Sequence, residues 1–306
     1  MSISFFGASV TAQKDGYTDV FKNMYIKENP NKKVFIHGFG SMHLFDAGIM
    51  FIDDVIQNKP TFCFIDWFST GFLFNELTQI VYLDTILYKL HTIKCIPIIL
   101  FLDRNPAIEQ KRKDMYKLVK EYIRPLNISY IDVVNQFDAS TILRDCVHTN
   151  TTGSNMYGTY IFNQSKEILK NKKYPLLDKI PSTKFCFIQK ITLNKKMYKK
   201  IVFEGSGTII GIYQVIGPHS SKCKIKETGQ MINIFDEWCH YERKSIKCSN
   251  VDINGTITLQ LENSDMDELY QTCRKQELLE TLQKCKKYLD IEFISYIGKM
   301  SIKICE

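Results

Sequence analysis

The sequence lacks the long apolar stretch that a membrane span requires, since no run in its 306 residues approaches about 20 consecutive apolar positions. Its opening, MSISFFGASVTAQK, has neither the basic flank nor the extended apolar centre of an export signal, so a cytoplasmic protein is the expectation. C-x-x-C pairs are absent, which argues against a thiolate metal site. Cys63, Cys95 and Cys186 lie inside apolar runs, where cysteine acts as a small core hydrophobe, and free thiols are expected. Internal repeats and low-complexity segments are absent too. Nor is charge concentrated. Residues 1–180 hold 21 Lys+Arg against 18 Asp+Glu and residues 181–306 hold 19 against 15, so the net +7 splits into +3 and +4. An even spread gives no reason to expect a nucleic-acid partner, and the net positive field slightly favours anionic substrates. With 44% hydrophobic and 24% charged residues the chain has globular composition, at a length suited to one large domain or two ordinary ones.

What is present falls into two patterns. In the first half, strand-like runs alternate with helical ones: SISFF, KVFIH, TFCFID, CIPIILFL and ISYIDV are the strands. Helices are expected from about Gly16, over 44–57, 76–91 and 106–122, and from Thr151 to Leu169. Five strands alternating with helices predict an α/β domain over residues 1–178, a five-stranded parallel sheet with helices on both faces. Continuous apolar strands suit a sheet buried on both sides. From Pro181 to residue 306 short β runs follow one another, punctuated by Gly205-Ser206-Gly207, Gly217-Pro218, Glu227-Thr228-Gly229 and Asn254-Gly255 read as turns. That pattern predicts a smaller β-sandwich, interrupted by one helix near 266–288.

In an open parallel sheet the site lies at the carboxyl ends of the strands. Strand one ends in Gly7-Ala8-Ser9, strand two in Gly38-Phe39-Gly40-Ser41 and strand three in Asp66-Trp67-Phe68-Ser69-Thr70-Gly71, while Asp145-Cys146-Val147-His148 follows strand five. A serine, glycines with free backbone donors and an Asp-x-x-His unit are the parts of an acyl-transfer site. A serine hydroxyl needs a base within hydrogen-bond reach; histidine titrates near neutrality, and a carboxylate three residues before it can fold back to hold its other nitrogen. His37 and His43 flank Gly40 but have no matching carboxylate spacing, so no metal site is expected. Asp66 and Trp67 read equally as lining of an acyl pocket or as core. The run Asp236-Glu237-Trp238-Cys239-His240-Tyr241 reads as a strand with a buried tryptophan or as a sugar-stacking site at Trp238.

GASVT, with Gly40 and with D-x-x-H at 145–148 followed by small residues to Gly153, resembles the blocks of the SGNH (GDSL-like) hydrolases over residues 1–175, in the same chain order. The resemblance implies a flavodoxin-like three-layer domain with Ser9 as nucleophile, His148 as base and Asp145 as its orienter, and with the N–H groups of Ser9 and Gly40 as oxyanion donors. The family's G-x-N-D block is replaced by DWFSTG, so its asparagine is missing and Ser69 or Thr70 is the candidate third donor. SGNH enzymes joined to jelly-roll-like modules act on acylated sugars, which implies a serine esterase removing O-acyl groups from a carbohydrate without a cofactor. Two other readings stand beside it. One is an acyltransferase with the same triad, taking an acetyl group from acetyl-CoA to a sugar hydroxyl. The other is a carbohydrate-binding protein on a decayed hydrolase scaffold.

Overall fold

The structure is a computed structural model that describes all residues except 72–75, 105–108, 194–196, 236–241, 264–265, 275 and 306. The chain divides into two compact units, Met1–Cys186 and Phe187–Glu306. Residues 181–186, expected to open the second domain, go instead with the first unit: Thr183 hydrogen bonds Thr85 at 2.5 Å and Phe185 packs on Tyr82.

In the first unit five parallel strands, β1 (Ser2–Gly7), β2 (Lys33–Gly38), β3 (Phe62–Asp66), β4 (Ile96–Phe101) and β5 (Ser129–Asp132), lie in the order β2-β1-β3-β4-β5. The connections are α1 (Ser9–Ala12), α2 (Tyr17–Glu28), α3 (Ile49–Gln57) entered through a π-helical turn, α4 (Phe68–Gly71), α5 (Glu76–Thr92), α6 (Glu109–Ile123), α7 (Ala139–Ile142) and α8 (Thr151–Asn171). The apolar β3 and β4 are buried along their whole length, as a sheet covered on both faces demands. An aromatic lattice fills one face: Phe5 stacks on Phe64 at 4.8 Å and meets Phe21 edge-on at 4.9 Å, and Phe21 meets Phe162. Helix α8 is capped by Asn150, whose side chain accepts from the Gly153 N–H at 2.9 Å. In the register, Gly7 stands beside both Gly38 and Asp66, so β1, β2 and β3 end on one line.

The second unit is one antiparallel sheet in the order β6-β11-β7-β10-β8-β9 among the described residues. Its strands are β6 (Gln189–Thr192), β7 (Lys200–Ile216), β8 (Lys222–Ile225), β9 (Met231–Asn233), β10 (Arg243–Glu262) and β11 (Ile291–Cys305). Two expectations are corrected here. Gly205-Ser206-Gly207 and Asn254-Gly255 are not turns between short strands; they lie inside β7 and β10, which run for 17 and 20 residues. The glycines bend the strands without ending them: Gly205 and Gly207 adopt φ of +152° and +150°, and Gly298 in β11 adopts +112°. A Cβ on Gly207 would lie 2.0 Å from the Ile297 carbonyl oxygen. The single helix expected near 266–288 is instead two short ones, α9 (Met266–Gln271) and α10 (Leu279–Lys284). Ile201 and Phe203 before the β7 bend share one core with Ile209 and Ile212 after it, joined by Val251, Ile257, Leu259 and Ile294. Long bent strands around a single core fit a β-sandwich.

Candidate active site

Helix α1 begins at Ser9, two residues past the end of β1. It lies so close on the sheet that a Cβ on Gly38 would fall 2.3 Å from the Ala12 nitrogen, which explains the glycine there. The Phe39 N–H donates to the Gly7 carbonyl at 3.0 Å, and Gly40 follows, exposed, with open space where a side chain would stand. Ser9 and Gly40 therefore both sit two residues past paired strand ends. Among the described residues nothing hydrogen bonds the Ser9 hydroxyl, neither His148 nor any other group. Catalytic hydrogen bonds often close only when substrate binds.

Asp145 and His148 are in direct contact. The Asp145 carboxylate accepts from the backbone N–H groups of Val147 (2.9 Å) and His148 (2.8 Å), and its oxygens stand 2.9 and 3.1 Å from His148 Nδ1. Burial works against its charge, but the two N–H donors and the imidazole outweigh it and hold the carboxyl below the ordinary carboxylate value. With Nδ1 so engaged, Nε2 is the nitrogen left to accept a proton. The turn is pinned at its base. The Arg144 N–H donates to the His148 carbonyl at 2.9 Å, and the Asn150 N–H to the Ile142 carbonyl at 2.9 Å.

Two side chains that strand-end reading overlooked tie this turn to its surroundings. Gln13, the residue just after α1, donates through Nε2 to the Thr149 carbonyl at 2.8 Å and accepts from the Thr149 hydroxyl at 3.4 Å. The helix that begins at Ser9 is thereby joined to the residue after His148. Arg104 follows β4, the one strand whose end the sequence reading passed over. Its guanidinium donates to the Ser69 carbonyl at 3.2 Å and to Cys146 Sγ at 3.6 Å. The same rule applied to β4 would have found it.

The third-strand residues are placed differently from a solvent-facing pocket. Trp67 is fully buried, edge-on to Phe6 at 5.2 Å and stacked on Phe39. Asp66 is 1% exposed. It accepts from the Ser69 hydroxyl at 2.9 Å and from the Thr11 hydroxyl at 3.0 Å; Thr11 in turn accepts from Tyr17 at 3.0 Å. Its carbonyl accepts from the Ala8 N–H at 3.0 Å. Desolvation pushes the Asp66 carboxyl up to about 6 despite these donors. Asp66 and Trp67 thus brace α1 from beneath, and the Ser69 proton is committed to Asp66. The Thr70 side chain and all of Trp238 lie outside the described residues. His37 accepts from the Asn58 amide at 3.0 Å, and His43 N–H donates to Asp46 at 2.6 Å.

No family model and no curated protein matches the chain. Among solved structures it is similar to a two-domain esterase active on acetylated mannans, with a TM-score of 0.66 at 11% identity over 98% of this chain and 92% of that one. The same esterase co-crystallised with mannopentaose aligns at 0.67 and 12%, over 98% and 91%. The chain shares the fold of that two-domain esterase. An acetyl xylan esterase aligns with 54% of the chain and 99% of its own length, at a TM-score of 0.47 and 16% identity.

Proposed function

We propose that the protein is an SGNH-type serine esterase that removes acetyl groups from a carbohydrate. The observation carrying this reading is the Asp145 carboxylate, held by two backbone N–H groups against His148 Nδ1, on a turn that Gln13 joins to the helix beginning at Ser9. The two-domain likeness to an esterase active on acetylated mannans supports the carbohydrate ester as substrate.

In this reading His148 Nε2 takes the Ser9 proton as Oγ attacks the ester carbonyl. The oxyanion is met by the N–H groups of Ser9 and Gly40, both at strand ends where backbone donors are free. Collapse expels the sugar hydroxyl, which leaves with the proton from His148. Water then attacks the acyl-serine, again through His148, and releases acetate. Asp145 stabilises the imidazolium in both halves without itself being protonated.

The test is acetate release from p-nitrophenyl acetate and from acetylated mannan by the wild type and by Ser9→Ala. The expected loss in kcat is ~10⁴-fold or more, with an unchanged melting temperature. Fluorophosphonate labelling of the wild type alone would locate the covalent step. Full activity in a folded Ser9→Ala protein refutes the assignment.

A further inference from the structure

The second unit contains a cleft of about 620 Å³ whose lining, among the described residues, carries five lysines and no carboxylate. Lys199 precedes β7 and Lys200 opens it, Lys226 follows β8, and Lys286 and Lys287 lie on the chain entering β11. The strand register brings them together. Lys200 pairs with Gln260, the Leu261 N–H donates to the Lys199 carbonyl, and the Lys226 N–H donates to the Thr258 carbonyl. The bridge between Tyr198 and Leu289 draws the 286–287 segment to the same end of the sheet.

Elsewhere in this unit lysines find acids: Lys222 with Glu268, Lys244 with Glu292, Lys284 with Glu280 and Lys303 with Glu204. Among the described residues Lys199, Lys200, Lys226 and Lys286 form no ion pair. The acid next in sequence, Glu227, accepts from the Thr258 N–H at 2.7 Å and feels the Lys226 charge, but it does not line the cleft. Lys287 is anchored, its Nζ donating to the carbonyls of Pro218 (2.8 Å) and Leu282 (2.9 Å). Unpaired like charges gathered on one concavity repel one another, and the arrangement is relieved when an anion enters.

We infer that this cleft binds an anionic glycan, a polysaccharide bearing carboxylate or phosphate groups. Lysine ammonium groups are compact charges suited to either anion. Gln260 and Asn263 add carboxamides that donate to and accept from sugar hydroxyls. The volume lies within the range of about 300–1,000 Å³ usual for ligand sites. Single-stranded nucleic acid fits less well, because among the described residues no aromatic side chain lines the cleft to stack a base. The choice of a glycan among polyanions rests on the carbohydrate-esterase reading, whereas binding itself does not require Ser9.

The test is affinity electrophoresis and calorimetry of the full chain with polygalacturonate (carboxylate), a phosphomannan (phosphate), a neutral mannan and single-stranded DNA. Binding to one or both anionic glycans is expected, and Lys200→Glu/Lys226→Glu should weaken it at least tenfold. Lys33→Glu/Lys170→Glu, which changes net charge equally on the first unit, should weaken it less than twofold. Polygalacturonate or phosphomannan alone binding would identify the anion. Ser9→Ala should bind like the wild type, so a failed esterase assay and a failed binding assay are separate results. The inference is overturned if the two double variants behave alike, if neutral mannan binds as tightly, if DNA binds more tightly than either glycan, or if no glycan binds at low salt.

Discussion

The Asp145 side chain is 47% exposed and accepts from two backbone N–H groups beside an imidazole, whereas Asp66 is 1% exposed and accepts from two hydroxyls. Both stand at the carboxyl rim of one parallel sheet. The first is held below the usual carboxylate range and the second is pushed up to about 6. The contrast separates two uses of the same side chain. In the mechanism proposed above Asp145 stabilises a transient imidazolium, which needs donors that fix its charge; a carboxylate that organises a buried helix end needs only acceptors in the right places.

Replacing each aspartate by asparagine should split the two roles. Asp145→Asn should lower kcat by ~10²–10⁴-fold, because the amide supports the wrong imidazole tautomer, while thermal melting stays unchanged. Equal losses of activity and stability would erase the distinction. Asp66→Asn acts on stability and on its pH dependence. Asp66 has a higher pKa folded than unfolded, so the native state binds its proton more tightly. The wild type is then favoured below about pH 4 and loses stability as pH rises towards 6, to the extent of about 3 kcal/mol above it. Asparagine should remove that slope, and melting curves from pH 4 to 7 measure it. A slope that survives in Asp66→Asn assigns the titration elsewhere. The smallest effect should come from Gln13→Ala. Loss of its bond to the Thr149 carbonyl should reduce kcat about tenfold, about 1.4 kcal/mol, leave KM unchanged and move the acidic limb of the kcat/KM profile, where protonation of His148 ends activity. Gln13→Glu, which keeps the length but lacks the donor, should do the same.

The α/β half was legible because each strand there is a compact apolar run, and Ser9 and Gly40 each stand two residues past a strand end. D-x-x-H carries its own geometry, and the contact of Asp145 with His148 follows from a three-residue turn. Burial was not legible at Asp66 and Trp67: a polar residue at a strand end looks the same in sequence whether it faces solvent or Thr11. Gln13 was invisible for another reason. Its partner Thr149 is 136 positions away, beyond any local pattern. In the second half the rule that glycine marks a turn misled, since in β7 and β10 glycine bends a strand that pairing across the sheet keeps intact. Residues 243–250 open β10, the longest described strand. The lysine cleft was hidden by net charge, because +4 over 181–306 says nothing of which lysines share a concavity.

The bends in the long strands are aligned: Gly205 pairs with Gly255, and Gly207 pairs with Gly298. This crease crosses three strands distant in the chain, and β11, the last, stands between β6 and β7. Ile201 pairs with Cys305, about a hundred positions away, while the first unit joins its five strands within residues 2–132. During synthesis the two halves therefore mature on different schedules. The parallel sheet can close while the rest of the chain is still emerging. The creased sheet must wait for residues 291–305, and until they arrive β6 has no neighbour and β7 keeps a bare edge. That interval is when a nascent chain is most exposed to pairing with its own copies, so chaperone demand should fall on the second unit.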